Sequence, residues 1–358
     1  MKSVGIYGAG WYGEVFYEAL TSMGYEIQFF LDKYISLQEK YGLPIFRPEA
    51  AVDKTTTIFI SVAKYEHQIK EELSRLGFSN VRTFSDSIRY IYHIFDFFAK
   101  RNSLWLVENK DAMVDEVKIG KVAQRLKDEK SKELLSTIVR FRRTLDALDY
   151  VFPDGEEEYF TRELDILSRL KDKIRFVDGG GYIGDTLQRI CQLSDNVSFI
   201  ASFEPDPKNF QALRQSLHVL QHKYQETIFT LYPVGLWSHF DLLEFHLSGS
   251  STSCVTKGQT KCFVPVCSID ETLFGAAPNF IKLDVEGAEK EALLGAKASI
   301  LAYHPFLAVS LYHRPSDLWE IPLLIDEIAP GHYDFYLRVH EHMGLSTILY
   351  CVPTKGEE

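Results

Sequence analysis

The stretch FVDGGGYIGDT, residues 176–186, decides the fold of the C-terminal half of this 358-residue chain. Apolar residues lead into Asp178, glycines follow at Gly180 and Gly184, and a helical pattern opens near Asp185, which reads as strand, tight loop and helix. Glycines remove the Cβ that would keep a ligand off the backbone, and a helix start presents unsatisfied N–H groups, so the loop suits a polar ligand. Glu204 stands twenty residues after Gly184, at the end of the next apolar run in FEPDP. A carboxylate there can accept hydrogen bonds from both hydroxyls of a ribose. Alone, the glycines fit an ordinary strand-to-helix turn and Glu204 a solvated charge. Together they point to a nucleotide-type ligand.

Working outward, strands are expected at 174–177, 197–203, 228–233, 242–246, 263–268, 280–283, 306–311, 333–339 and 346–352, with helices in most intervals. That alternation predicts a mostly parallel, doubly wound α/β sheet whose ligands gather outside the carboxyl ends of the strands. HEHMGL is too short for a crossover helix, so the last two strands must form an antiparallel hairpin. Upstream, strands at 4–7 and 26–31 flank a helix at 12–23. After a turn-rich stretch with Pro44 and Pro48 come a strand at 57–62, a helix at 66–76 and a short strand at 81–84. The expected division is a small α/β domain over 1–84, a helical connector over 85–172 and the larger α/β domain over 173–358.

The charge of −11 and pI near 5.5 speak against a nucleic-acid binder, which needs a basic stripe. No apolar run reaches the ~18 residues of a membrane span, and Met1 leads straight into strand-like SVGIY, so no membrane insertion and a cytoplasmic location are expected. Five cysteines without CxxC spacing indicate neither a disulfide framework nor a zinc site.

The larger domain resembles class I methyltransferases, and more narrowly the FkbM family of S-adenosylmethionine-dependent methyltransferases. The resemblance covers residues 173–352. Its blocks are FVDGGGYIGDT, FEPDP, VCSID ending at Asp270, FIKLDVEGAEKEALLGA from Phe280, PFLAVSLYH ending at His313 and YDFYLRVH ending at His340. It implies that the first block (Asp178, Gly179, Gly180, Gly181, Gly184, Asp185, Thr186) holds the methionine part of the cofactor. FEPDP (Glu204, Pro205, Asp206) would take the ribose, and the segment of Val234, Gly235 and Leu236 the adenine.

Methyl transfer to a hydroxyl is an in-line displacement, so the protein aligns the acceptor and helps remove its proton. Asp284 and Glu286 follow the strand FIKL at the rim where ligands bind, and His313 ends the next strand. These three are the candidate catalytic residues, with His313 or Asp284 as base. Helix capping is the competing role for Asp284, Glu286 and Glu289, and a structural one for His313 and His340. Oxygen ligands there could also hold a divalent metal, but Asp284 and Glu286 alone do not define an octahedral site. The loop SGSSTSCV, residues 248–255, offers hydroxyls to cofactor or acceptor, or is a plain turn. Arg140, Arg142 and Arg143 form a solvated helix face or meet an anionic acceptor. The run IYHIFDFF, residues 91–98, is core packing or an oligomer contact.

GAGWYG, residues 8–13, has the G-x-G-x-x-G form with Gly8, Gly10 and Gly13, and Asp32 ends the next strand. It resembles the small Rossmann-like domains that begin bacterial sugar-modifying proteins, including PglD-like acyltransferases, which implies a nucleotide-sugar ligand. With room for one mononucleotide half, it speaks against nicotinamide chemistry. The sequence therefore favours an O-methyltransferase acting on a sugar or a nucleotide-linked glycan precursor. A methyltransferase tethered by a non-catalytic N-terminal module, and an NAD-dependent sugar oxidoreductase or epimerase, are the alternatives.

Overall fold

The structure, a computed structural model of the chain, describes residues 2–91, 93–102, 104–170, 172–245 and 262–354. It divides into two compact units, and the chain passes between them more than once. The first unit holds Met1–Met113, Thr137–Val151 and Glu341–Met343; the second holds Val114–Ser136, Phe152–His340 and Gly344–Glu358.

The first unit is built on β1 (Ser3–Tyr7), β2 (Glu26–Leu31), β3 (Glu39–Lys40), β4 (Leu43–Phe46), β5 (Thr57–Ile60) and β6 (Val81–Arg82), in the order β3-β4-β2-β1-β5-β6. All pairs are parallel except β3 with β4. The helices Trp11–Ser22 and Glu66–Arg75 supply the crossovers. β3 and β4 occupy the stretch expected to be turns, because Gly42 and Pro44 hide two very short strands. The strand expected to run to Phe84 ends at Arg82, since Thr83 starts a helix, Phe84–Tyr90. The Thr83 hydroxyl accepts from Asp86 N, and the Asp86 carboxylate accepts from Thr83 N, a reciprocal cap.

The chain does not divide at Phe84, and 85–172 is not a separate connector. Phe84 packs on Phe16 and Phe98 on Trp11 inside the first unit, and the later residues are shared between both units. In the run 91–98, Ile91, Ile94, Phe95 and Phe98 are core residues. Arg142 is no solvated side chain either: it is buried, with its guanidinium 4.8 Å from the centre of the Trp105 ring, while Arg140 pairs with Asp149 at 2.7 Å.

The second unit contains β7 (Ile174–Gly179), β8 (Val197–Phe203), β9 (Ile228–Tyr232), β10 (Gly235–Leu236), β11 (Asp241–Phe245), β12 (Cys262–Cys267), β13 (Phe280–Leu283), β14 (Phe306–Ser310), β15 (Tyr333–Val339) and β16 (Thr347–Pro353). Seven of them make one sheet in the order β15-β16-β14-β13-β7-β8-β9. The five from β14 to β9 are parallel, and β16 runs antiparallel to both β14 and β15. The expected α/β fold, with its doubly wound sheet and C-terminal antiparallel hairpin, is the one observed. β10, β11 and β12, by contrast, leave the main sheet and form a small three-stranded one, β10-β12-β11. Strand order reverses between β7 and β13, so the loops after them diverge at their carboxyl ends and leave a crevice.

The core of the second unit reaches beyond the sheet. Tyr159, Phe160, Leu164, Ile166 and Leu170, all upstream of β7, pack with Phe176, Ile190, Phe280 and Tyr350. Residues 126–131 lie along β15: Lys127 N donates to Phe335 O (2.9 Å), and Leu337 N donates to Ser131 Oγ (2.8 Å). They cover the edge strand of the sheet. Among the described residues no helix is long and apolar enough to cross a membrane.

Candidate active site

At the crevice, β7 delivers Asp178 and β13 delivers Lys282, both buried. Asp178 Oδ2 accepts from Ser202 Oγ (2.9 Å) and Oδ1 from Lys282 Nζ (3.0 Å). Lys282 Nζ also donates to the carbonyls of Gly179 (3.0 Å) and Gly180 (2.6 Å). Burial works against the charge on Lys282, and Asp178 and Asp284 outweigh it and hold its pKa above the usual lysine value. Both Asp178 oxygens are thus engaged within the protein. The residue expected to meet the cofactor sits beneath the loop and braces it through Lys282.

The loop itself is tied to the end of β8. Gly180 N and Gly181 N both donate to Phe203 O (3.0 and 2.9 Å). Gly180 has φ +81°, and a Cβ there would overlap the carbonyl oxygen of Asp284. The close approach of β7's loop to β13's therefore requires glycine. Gly184 leads into the helix Asp185–Leu193 without a side-chain cap, so the first-turn N–H groups around exposed Asp185 and half-buried Thr186 are not taken by one.

Glu204 accepts from Tyr182 N on Oε2 (2.9 Å) and from Asp206 N on Oε1 (2.8 Å). Each oxygen keeps one further acceptor position, enough for a diol. Burial pushes its carboxyl up, against those two backbone N–H groups. Asp206 has a different place: its Oδ1 caps the helix Pro207–Lys223 through Lys208 N (2.8 Å) and Asn209 N (3.1 Å). Val234, Gly235 and Leu236 come alongside. A Cβ on Gly235 would stand 3.9 Å from Pro205 Cβ, and one on Gly179 would stand 2.8 Å from Leu236 Cδ1. Three sequence blocks far apart in the chain thus meet at one end of the sheet.

Asp284 follows β13 directly, and its backbone N–H donates to Gly179 O (3.1 Å). Its Oδ1 accepts from Ser310 Oγ (2.8 Å) and Tyr312 OH (3.0 Å), and its Oδ2 from Tyr159 OH (2.7 Å). His313 is buried next to it, with Nε2 3.4 Å from both Asp284 Oδ1 and Glu286 Oε2 and Nδ1 2.9 Å from Glu289 Oε1. Glu289 Oε1 also accepts from Val285 N (2.8 Å), so this side chain props the turn as well as the imidazole. Glu286 holds φ +55°, a strained value for a residue with a Cβ, which fixes its carboxylate at the cluster.

The electrostatics follow from this packing. Burial works against a charged imidazole, and Glu289, Asp284 and Glu286 outweigh it, pushing His313 up to about 10. Burial pushes Glu286 up to about 7, against the pull of His313. For Asp284 burial is overcome by His313, Lys282 and the hydroxyl donors, which hold its carboxyl below the usual range. The structure brings Asp284, Glu286 and His313 together, and the carboxylates around the ring favour its protonated form.

His340 stands apart from the cluster. Its Nε2 meets Tyr350 OH (2.8 Å) and its Nδ1 meets Glu156 O (3.1 Å), a structural arrangement. The segment SGSSTSCV lies outside the described residues. Lys282, Tyr159, Ser310 and Tyr312 were not among the expected site residues. A lysine inside the otherwise apolar FIKL was the available signal for the first, since lysine is rarely buried unpaired. Tyr159 lies 125 positions from its partner Asp284, and no local pattern announces it.

In the first unit, Gly8 has φ +101°, and a Cβ on Gly13 would overlap the Gly8 carbonyl, so both glycines serve close strand–helix packing. Gly10 has nothing within 4 Å of such a Cβ. Asp32 Oδ2 accepts from Ala9 N (2.9 Å), and its Oδ1 from Tyr34 N and Ile35 N (2.9 Å each). Asp32 thereby ties the loop to its own strand end.

Residues 178–342 match the family model described as Methyltransferase FkbM domain. The chain carries an FkbM methyltransferase domain. It is accordingly an S-adenosylmethionine-dependent methyltransferase. A crystal structure of methyltransferase FkbM from Methylobacillus flagellatus KT is similar at 24% identity and TM-score 0.64, over 98% of this chain and 90% of that one. A methyltransferase from Geobacter sulfurreducens matches at 14% identity and TM-score 0.33, over 68% of this chain and 98% of the other. Aeropyrum pernix fibrillarin, solved with natively bound S-adenosyl-L-methionine, matches at 10% identity and TM-score 0.30, over 53% and 74%. No curated protein gives a significant match.

Proposed function

We propose that this FkbM methyltransferase transfers the methyl group to a hydroxyl of a small-molecule or glycan acceptor, a sugar or nucleotide-linked sugar in the first instance. The observation that carries the reading is the Asp284, Glu286 and His313 cluster beside the glycine loop and Glu204. In the reaction the methyl carbon leaves the sulfonium sulfur as a bond forms to the acceptor oxygen. The sulfonium becomes a neutral thioether, and the hydroxyl proton passes to the cluster. Residues 179–186, braced from beneath by Asp178, would hold the methionine end, Glu204 the ribose diol, and Val234 to Leu236 the adenine. Buried donors and acceptors that align oxygen, carbon and sulfur supply most of the rate.

The test has two stages. Titration with S-adenosylmethionine should give one site per chain, and Glu204→Gln should weaken it about tenfold or more, the loss of a charged acceptor for two hydroxyls. A screen of alcohols, sugars and nucleotide sugars with labelled cofactor should then move label to oxygen; label on nitrogen or carbon alone would end the O-methyl reading. For the first unit we favour a binding module over nicotinamide chemistry. Three of the roughly four acceptor positions of Asp32 are already occupied by backbone N–H groups, leaving too few for a ribose diol. Mass spectrometry of small molecules released from the purified protein would identify its ligand, and released NAD would overturn that preference.

A further inference from the structure

The cluster around His313 carries more charge than a proton acceptor needs. Three carboxylates, Asp284, Glu286 and Glu289, face one imidazole. The His313 side chain is only 2% exposed, and neither of its nitrogens has a hydrogen bond of good geometry; Glu286 Oε2 and Glu289 Oε2 are likewise buried without one. Buried polar atoms in that condition call for a partner. Asp284, Glu289 and His313 offer ligand atoms that all lie within 4.8 Å of one another.

The two separations at His313 Nε2 are those of neighbouring ligands around a cation. Metal–ligand bonds of about 2.1–2.4 Å place right-angle neighbours about 3.0–3.4 Å apart, and His313 Nε2 stands 3.4 Å from both Asp284 Oδ1 and Glu286 Oε2. Glu289 Oε1 stands 2.9 Å from the other ring nitrogen, close enough to orient the ring once an ion is bound, as carboxylates do for metal-bound histidines. Ser310 and Tyr312 both donate to Asp284 Oδ1 and Tyr159 donates to Oδ2, so the acceptor position this carboxylate keeps for an ion is on Oδ2.

We infer that Asp284, Glu286 and His313 form a divalent-cation site, backed by Glu289, at the acceptor end of the crevice. The imidazole sets the site apart from an all-oxygen one and favours a first-row ion, and the two carboxylates admit Mn²⁺, which serves as the probe. The inference deepens the methyl-transfer reading and rests on it for its consequence. A cation there binds the acceptor's hydroxyl oxygen together with a neighbouring oxygen, so the substrates it selects carry two oxygens on adjacent carbons, as sugars do. Bound to the ion, the hydroxyl releases its proton more readily.

Mn²⁺ titrated into the full-length protein after chelator treatment, followed by calorimetry and by loss of the free-ion electron paramagnetic resonance signal, tests this directly. One ion per chain is expected, with binding weakened at least tenfold in Glu286→Gln and His313→Ala. The charge-removing, isosteric Glu289→Gln should lose about 10–100-fold. Retained S-adenosylmethionine binding in each variant certifies that it is folded. No stoichiometric uptake up to about 1 mM Mn²⁺, the weak end of biological sites, overturns the inference, as does uptake that Glu286→Gln and His313→Ala leave unchanged. If the ion-free protein binds cofactor and methylates a hydroxyl at full rate, the cation site falls while the methyltransferase reading stands.

Discussion

Gly180 shows how much of the site depends on a single missing atom. Its φ of +81° is a conformation that costs an L-residue about 1–2 kcal/mol, and its Cβ would overlap a backbone oxygen, that of Asp284, which cannot swing aside as a side chain does. Gly180→Ala must therefore push apart the loops that follow β7 and β13. Calorimetry should show S-adenosylmethionine affinity falling at least tenfold, with a lower melting temperature. Gly10→Ala is the matched control: it too replaces a loop glycine, but the space around it is open and its φ of −77° is ordinary. It should melt within a degree or two of the parent chain. The glycines and Glu204 could be read from sequence because their spacing is local. The partners that set their geometry could not: strand order brings Lys282 and Ser202 to Asp178, and Tyr159 reaches Asp284 from the irregular segment upstream of β7.

At the scale of elements, legibility followed the length of the connection. The β15–β16 hairpin was readable because six residues cannot hold a crossover, whereas β3 and β4 are too short to show alternation, and the departure of β10, β11 and β12 from the main sheet depends on pairing that periodicity does not encode. The cover on β15 belongs to the same class. Arg338 is buried on that strand and donates to Asp128 Oδ2 (2.7 Å), Glu163 Oε2 (2.9 Å) and Ser131 Oγ (2.9 Å). Burial alone would raise both carboxyls, but Arg338 and Ser131 hold Asp128 below its usual value, and Lys130 and Arg338 do the same for Glu163. Groups with depressed folded-state pKa values stabilise the fold fully above their unfolded values, near pH 4, and lose that contribution as pH falls through the folded ones. Arg338→Met should thus cost about 1.5–3 kcal/mol at neutral pH, the range for charge-assisted hydrogen bonds. Denaturant titrations at a series of pH values should show the gap between variant and parent narrowing below about pH 4. A gap that is constant down to acid would mean that Arg338 acts through packing alone.

For the molecule as a whole, the FkbM domain match at 178–342 understates what the methyltransferase sheet needs. Tyr159, Phe160, Leu164, Ile166 and Leu170 precede any boundary near residue 173, yet they belong to the core under β7 and β13. Burying side chains of this kind is worth about 1.5–3 kcal/mol each, so the five together contribute roughly 8–15 kcal/mol. That is the scale of a whole domain's net stability, about 5–15 kcal/mol. Tyr159 adds a hydroxyl on Asp284, and residues 126–131 close the β15 edge, so a fragment of 173–358 loses core, site and edge cover at once. Such a fragment should be aggregated or unfolded, with no cooperative melting transition and no S-adenosylmethionine binding, although it contains every residue of the family match. A single deletion grades the argument within the intact chain. Phe160, which packs edge-on against Phe280 with ring centres 5.9 Å apart, should cost about 3–5 kcal/mol on Phe160→Ala. Denaturant unfolding measures that cost. A fragment of 173–358 that folds cooperatively and binds cofactor would show that the upstream segment packs on a core already complete without it.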